Sequence, residues 1–169
     1  MKHLNFRTLC ACLVVMSVIA TVVAVLYFQK YLGLEPCPLC IFQRVGVWVM
    51  GVFAFVGMLI NPKKLWGKLT LWVGMMAGVL WGIGVGMRHV WLQHLPPEKV
   101  PACGPGLEYW VETLPILQVF QEVLKGSGEC AEIDWQMFGI TLPELTLAMF
   151  VVFAMILGFA LFKMIKKQM

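Results

Sequence analysis

Cys37 and Cys40 are separated only by Pro38 and Leu39. In a C-x-x-C at a helix start both thiols fall within one turn, close enough to exchange electrons as a dithiol–disulfide couple or to form half of a metal site. Pro38 suits the first turn of a helix, and the positive end of the helix dipole favours a thiolate there, which makes a thiol reactive. Two further cysteines lie far along the chain. Cys103 sits in the turn-forming stretch Pro101-Ala-Cys-Gly-Pro105, and Cys130 follows Lys125-Gly-Ser-Gly-Glu. These four thiols are enough for two pairs. Cys10 and Cys12 differ from them: two residues apart in an apolar run, they point in different directions and read as small apolar fillers.

Arg44 is four residues after Cys40 and shares its helical face. An arginine just inside an apolar run either snorkels to the interface or sits beside a site. Next to a C-x-x-C it supplies a fixed positive charge for a thiolate or a bound anion. His89 falls near the same depth of another apolar run, where a lone histidine is more often a polar cap than part of a site; His94 has the weaker functional case.

The elements that must hold these groups are membrane helices. Of 169 residues, 60% are hydrophobic and 13% charged, and mean hydropathy is +0.83. A soluble globule has about 45–50% apolar and about 25% charged residues, so a disordered chain, a collagen-like chain and an ordinary cytosolic enzyme are excluded. Four apolar runs, 9–28, 41–60, 69–87 and 145–162, reach the length of about 17–25 residues that spans a bilayer. The first is longer than a signal-peptide core and lacks a clean cleavage site, so it reads as an uncleaved anchor. The expected architecture is an all-α four-transmembrane-helix bundle, a single integral membrane domain over 1–169, with loops 29–40 and 88–144.

Charge orients the bundle. Lys2, Arg7, Lys63, Lys64, Lys68, Lys163, Lys166 and Lys167 fall on one side without an acid, while all nine acids fall on the other. The basic side is cytoplasmic by the positive-inside rule, so both termini are inside and Cys37, Cys40, Cys103 and Cys130 are outside. The net charge of +4 does not signal nucleic-acid binding, because no basic face emerges. In the third run Gly74, Gly78, Gly82 and Gly86 repeat every four residues, a seam for close helix packing. In the long loop, Trp110, Leu114, Leu117, Phe120 and Leu124 recur at helical spacing. They predict a short amphipathic helix, its second half begun by Pro115 and its end set by Gly126, lying in the membrane interface or on the protein's own loops.

Three functions fit these features. A membrane thiol–disulfide enzyme would exchange disulfides between the two pairs and a soluble partner. The chain has no haem-attachment or dinucleotide-binding motif, so a lipid-soluble quinone near Cys40 and Arg44 is the natural electron acceptor. A four-cysteine zinc site is the second reading, weakened because Cys103 and Cys130 are 27 residues apart. A carrier with structural disulfides is the third, and it lacks buried charges beyond Arg44.

In Cys37-Pro-Leu-Cys40-Ile-Phe-Gln-Arg44, in His89-Val-Trp-Leu-Gln93 followed by Cys103, and in Ser127-Gly-Glu-Cys130-Ala-Glu with Trp135 after it, the chain resembles the DsbB family of bacterial inner-membrane proteins, over essentially its whole length. Proteins similar to vitamin K epoxide reductase share the chemistry but carry their C-x-x-C late in the chain. The resemblance implies a bundle that reoxidises a periplasmic thioredoxin-fold oxidase, DsbA, and passes electrons to ubiquinone or menaquinone. It implies that a Cys103–Cys130 disulfide meets the partner through Cys103, that Cys130 then engages Cys37, and that Cys40 lies as thiolate against the quinone. Arg44 would stabilise that contact, and His89 would help to hold the quinone. Position 43 is Gln, where some relatives carry an acid. Energetics demands an external acceptor. DsbA lies near about −120 mV and a thioredoxin dithiol near about −270 mV, a gap of roughly 7 kcal/mol that an unaided C-x-x-C could not overcome.

Overall fold

The computed structural model describes residues 5–166. Within it the chain is an all-α, four-span membrane protein. Helix α1, Phe6–Val22, continues without interruption as a π-helical segment, Val23–Tyr31. The other spans are α2, Pro38–Ile60, and α3, Leu65–Gln93; two short helices follow, α4, Leu107–Thr113, and α5, Ile116–Lys125. A hairpin of β1, Gln136–Met137, and β2, Ile140–Thr141, leads into the last span, α6, Leu142–Lys166.

Each span is longer than its apolar run, because hydropathy marks the hydrocarbon slab and not the end of backbone hydrogen bonding. α2 begins at Pro38 with Cys37 as its N-cap, and Cys37 Sγ accepts from the Cys40 N–H at 3.4 Å. α6 begins three residues before the apolar run because Glu144 reaches back, its Oε2 accepting from the Thr141 N–H at 2.8 Å in the manner of a capping box. α3 runs on to Gln93, so residues 88–93 of the expected loop are helix and carry His89 with them. Of the charges used for orientation, Lys2 and Lys167 lie outside the described residues.

α2 packs on α1 and α3, and α3 packs on α6. The glycine stripe of α3 makes this contact, but it does not serve one neighbour. A Cβ on Gly78 would lie 2.7 Å from Gly46 O and 2.7 Å from Met50 N, both backbone atoms of α2, and one on Gly74 would meet the Phe53 ring, also of α2. A Cβ on Gly82 would run into the ring of Phe150, and one on Gly86 would lie 3.2 Å from Leu147 Cδ1, both on α6. A four-residue step overshoots a full turn by about 40°, so the stripe winds from the α2 side to the α6 side as it climbs. Around it Leu13, Met50, Met75, Val79, Phe150 and Phe153 form the buried core. α1 and α6 instead face each other across a cavity of about 440 Å³.

α5 resolves the choice left open for the amphipathic segment by doing part of each. Val119 and Val123 are buried, and Phe120 sits edge-on to Phe42 of α2 and Trp81 of α3. Ile116 and Leu117 are left 73% and 69% exposed, so an apolar strip remains for the lipid interface. Pro115 is the N-cap and Gly126, at φ +80°, ends the helix.

Gly78→Val should cost at least the roughly 1–3 kcal/mol typical of overpacking, because the obstructing atoms are backbone and cannot swing away. Gly84→Ala, whose Cβ would meet open space, should cost nothing. Thermal unfolding of both variants in detergent checks the pair; equal losses would mean that the close α2–α3 contact is not what Gly78 provides.

Candidate functional site

The N-terminus of α2 carries two sulfurs, and α3 brings an imidazole to them. Cys37 Sγ and Cys40 Sγ are 3.2 Å apart. His89 is only 2% exposed, with Nε2 3.7 Å from Cys37 Sγ and Nδ1 4.0 Å from Cys40 Sγ. It is therefore no solvated helix cap. The position follows from the glycine contact below it: His89 is eleven residues, about three turns, above Gly78 and so on the same face of α3.

Cys130 completes the group from the facing loop. It is 1% exposed in the turn Gly128–Cys130 and packs in one cluster with Leu39, Leu92 and Val123, against which Cys37 also rests. Three ties hold this turn. Arg88 of α3 donates from Nε to Leu124 O at 3.0 Å and from Nη2 to Lys125 O at 2.7 Å, capping the end of α5. Gln93 donates from Nε2 to Glu132 O at 3.3 Å, and its Oε1 accepts from Thr141 Oγ1 at 2.9 Å. Trp135 meets the Phe28 ring edge-on at 5.1 Å, joining the segment to α1.

Cys103 is exposed. Its stretch is pinned to the same turn, since Gly128 N–H donates to Ala102 O at 3.3 Å. A Cβ on Gly128 would lie 2.9 Å from Cys103 Sγ and 2.9 Å from Pro101 O. Only glycine allows the two loop strands to approach so closely, and it puts Cys103 beside the Cys130 turn.

The cavity between α1 and α6 opens at these sulfurs. Cys37, Cys40, Arg44 and His89 line it together with apolar side chains such as Met16, Val23, Leu145 and Phe150. The π-helical stretch places Gln29 across from Arg44, whose Nη1 donates to Gln29 Oε1 at 3.0 Å. Gln43, 4% exposed, also lines the cavity. Its side-chain amide hydrogen-bonds Thr146 Oγ1 of α6 at 3.0 Å, and the Thr146 hydroxyl also lies 2.9 Å from Pro143 O.

Of the six residues singled out from the sequence, the structure gathers Cys37, Cys40, His89 and Cys130, sets Arg44 on the wall of the adjoining cavity, and leaves Cys103 at the surface beside Gly128. His94 stays exposed, its Nδ1 2.9 Å from Val90 O. Gln43 stood out only as a position where some relatives carry an acid, and Arg88 only as a charge beside His89, while Gly128 left a signal in the pair Gly126 and Gly128 just before a cysteine.

The loop thiols are not uniformly activated. The Cys37 sulfur and burial push the Cys130 thiol well above the ordinary thiol range. At Cys37 the Cys130 thiol favours the thiolate, but the Cys40 sulfur and burial outweigh it and the net shift is also upward. Reduced Cys37 and Cys130 thus hold protons that a lone helix-capping thiol would release.

The family model for "Disulfide bond formation protein DsbB" matches residues 6–160. The chain is similar to Disulfide bond formation protein B of Psychrobacter sp. (strain PRwf-1), 50% identical over 167 residues, which is 99% of this chain and 98% of the relative. It is also similar to the protein of that name from Acinetobacter baumannii, 48% identical over 95% of this chain and 94% of the relative. A third, from Chromobacterium violaceum, is 50% identical over 70% of each.

In the reduced protein, Cys103 should be alkylated first at neutral pH. Because their pKa values are raised, Cys37 and Cys130 should still be gaining reactivity as pH climbs past the ordinary thiol value of about 8.5. Peptide mass spectrometry after timed alkylation measures this. Cys130 labelling that has levelled off by that pH would contradict its place among the buried sulfurs.

Proposed function

Because the chain belongs to the DsbB family of disulfide bond formation proteins, we propose that it is a protein-dithiol:quinone oxidoreductase. It would reoxidise a DsbA-like periplasmic thiol oxidase and pass the electrons to ubiquinone or menaquinone. The observation that carries this reading is the gathering of Cys37, Cys40 and Cys130 at the mouth of an apolar cavity reached from between two membrane helices. In this reading the protein sits in the bacterial inner membrane with both termini cytoplasmic. Among the described residues, the α2–α3 connection, the start of α3 and the end of α6 carry bases without acids, while every acid lies towards the cysteine end.

Electrons enter at Cys103, the sulfur exposed to water. A partner thiolate attacks Cys103 in a Cys103–Cys130 disulfide and displaces the Cys130 thiolate. The partner's second thiol then closes its own disulfide and releases Cys103. Cys130, held against Cys37, attacks the Cys37–Cys40 disulfide at Cys37, and Cys40 leaves as the thiolate. Cys103 then attacks the Cys130–Cys37 bond, which regenerates Cys103–Cys130 and leaves Cys37 and Cys40 reduced. Each step exchanges one S–S bond for another, so both electrons reach the C-x-x-C. Arg44, one turn below Cys40, offsets the negative charge on that leaving sulfur.

The cavity suits a quinone. Its volume falls in the range of about 300–1,000 Å³ usual for small-ligand sites, and its walls are mainly apolar. Cys40, Arg44 and His89 would hold the ring. What a bound quinone supplies is a two-electron, two-proton acceptor soluble in lipid.

Cys103→Ala and Cys130→Ala should abolish oxidation of the partner yet leave Cys37–Cys40 reducible by small thiols. Rapid-mixing kinetics of the two half-reactions would show it, and undiminished partner oxidation in either variant would reject the order of steps. Arg44→Gln should slow the quinone half-reaction while sparing the partner half-reaction; equal losses would remove its assigned role.

A further inference from the structure

The reduced centre has a second chemistry that electron transfer does not use. Cys37 Sγ, Cys40 Sγ and a ring nitrogen of His89 all lie within 4.8 Å of one another. Two sulfurs and an imidazole are a common zinc donor set. Tetrahedral zinc, with Zn–S of about 2.3 Å and Zn–N of about 2.0–2.1 Å, requires ligand atoms about 3.5–3.8 Å apart. Cys37 Sγ to His89 Nε2 is 3.7 Å, and the two sulfurs at 3.2 Å need part by about half an ångström; Cys40 Sγ faces the other ring nitrogen, Nδ1, at 4.0 Å, so the imidazole must also turn for one nitrogen to meet both sulfurs at that spacing. The approach is also charged for a cation. Glu35, Glu129, Glu132 and Asp134 line the same cavity, against which Arg44 is its only lysine or arginine among the described residues. An uncharged, lipid-soluble acceptor has no use for that excess of carboxylates, whereas a divalent cation is drawn by it.

We propose that the reduced protein binds one zinc-class divalent cation through Cys37, Cys40 and His89, and that the bound ion holds the centre in an inactive, reduced state. Each thiol gives up its proton as the metal–sulfur bond forms, and no electron moves. With both sulfur lone pairs engaged, neither can form a disulfide until the metal leaves; conversely, the Cys37–Cys40 disulfide offers no thiolate and excludes the ion. This site differs from the four-cysteine alternative considered from the sequence. His89 takes the place of the distant pair, and Cys103 has no part in it.

The test uses the full-length protein in detergent, free of quinone and partner, so its outcome does not depend on the electron-transfer reading. Co2+ is titrated into the phosphine-reduced and the oxidised protein. The expected result is one equivalent bound to the reduced form with a thiolate-to-cobalt charge-transfer band, displaced by Zn2+, and no such band in the oxidised form. His89→Ala should weaken binding by more than about tenfold, and Cys103→Ala should leave the band and the affinity unchanged. Cobalt bound without the thiolate band, or equally by the oxidised protein, overturns the proposal. So does a band lost in Cys103→Ala. The wild-type comparison of reduced with oxidised protein decides the matter even if His89→Ala folds poorly.

Discussion

The backbone of α2 touches the backbone of α3 where Gly46 meets Gly78, and the geometry of the sulfur centre depends on that contact. Cys37 is nine residues before Gly46 and His89 eleven after Gly78, so the two helices splay only slightly before they present sulfur and imidazole to each other. A side chain at either glycine would move the helices apart by about the width of a methyl group. That is comparable with the whole margin between contact and separation at the Cys37–His89 pair. In lipid, where burying apolar surface does not drive helices together, such close packing is itself what joins them. The rigidity of the centre and the stability of the bundle therefore share one origin.

The opposite wall is built differently. α1 and α6 do not close on each other, and the space between them is the cavity. Ser17 Oγ donates to Val47 O at 3.1 Å and ties α1 to α2, while Trp72 Nε1 donates to Leu157 O at 2.8 Å and ties α6 to α3. Each outer helix thus has its own anchor on the inner pair. Neither needs the other, and the gap can stay open to the bilayer. The Gln43–Thr146 hydrogen bond adds a polar tie between α2 and α6 beside the gap.

Much of this was legible in the residues, and what escaped did so for physical reasons. The N-cap role of Cys37 followed from Pro38, because proline has few other places in a helix. The four spans followed from hydropathy, whereas their ends depended on capping contacts that a window average blurs, as with Glu144 and Thr141. The hairpin at Phe138-Gly139 was missed because its two positive φ angles fall on a residue pair without the usual Asn or Asp, and only Gly139 hinted at it. His89 read as a lone polar residue because its partners are about fifty positions away, and spacing along the chain carries no trace of that contact. The Gln43–Thr146 contact was invisible for the same reason, since 103 positions separate its partners.

The loop that carries Cys103 and Cys130 shows how two sulfurs can be near each other and yet face different surroundings. Cys130 is packed among Leu39, Leu92 and Val123, while Cys103, next to Gly128, is open to water. Between them stand a single short turn and a glycine pair. Such a turn has few backbone hydrogen bonds to break, so swinging Cys130 from Cys37 towards Cys103 disturbs little beyond the turn itself. Its flanks cannot follow, because Arg88 holds the end of α5 and Gln93 holds Glu132. Motion confined in this way would keep the reach of Cys130 short and repeatable, as the proposed relay requires. A long, loose loop would meet both sulfurs too, but would spend most of its time at neither.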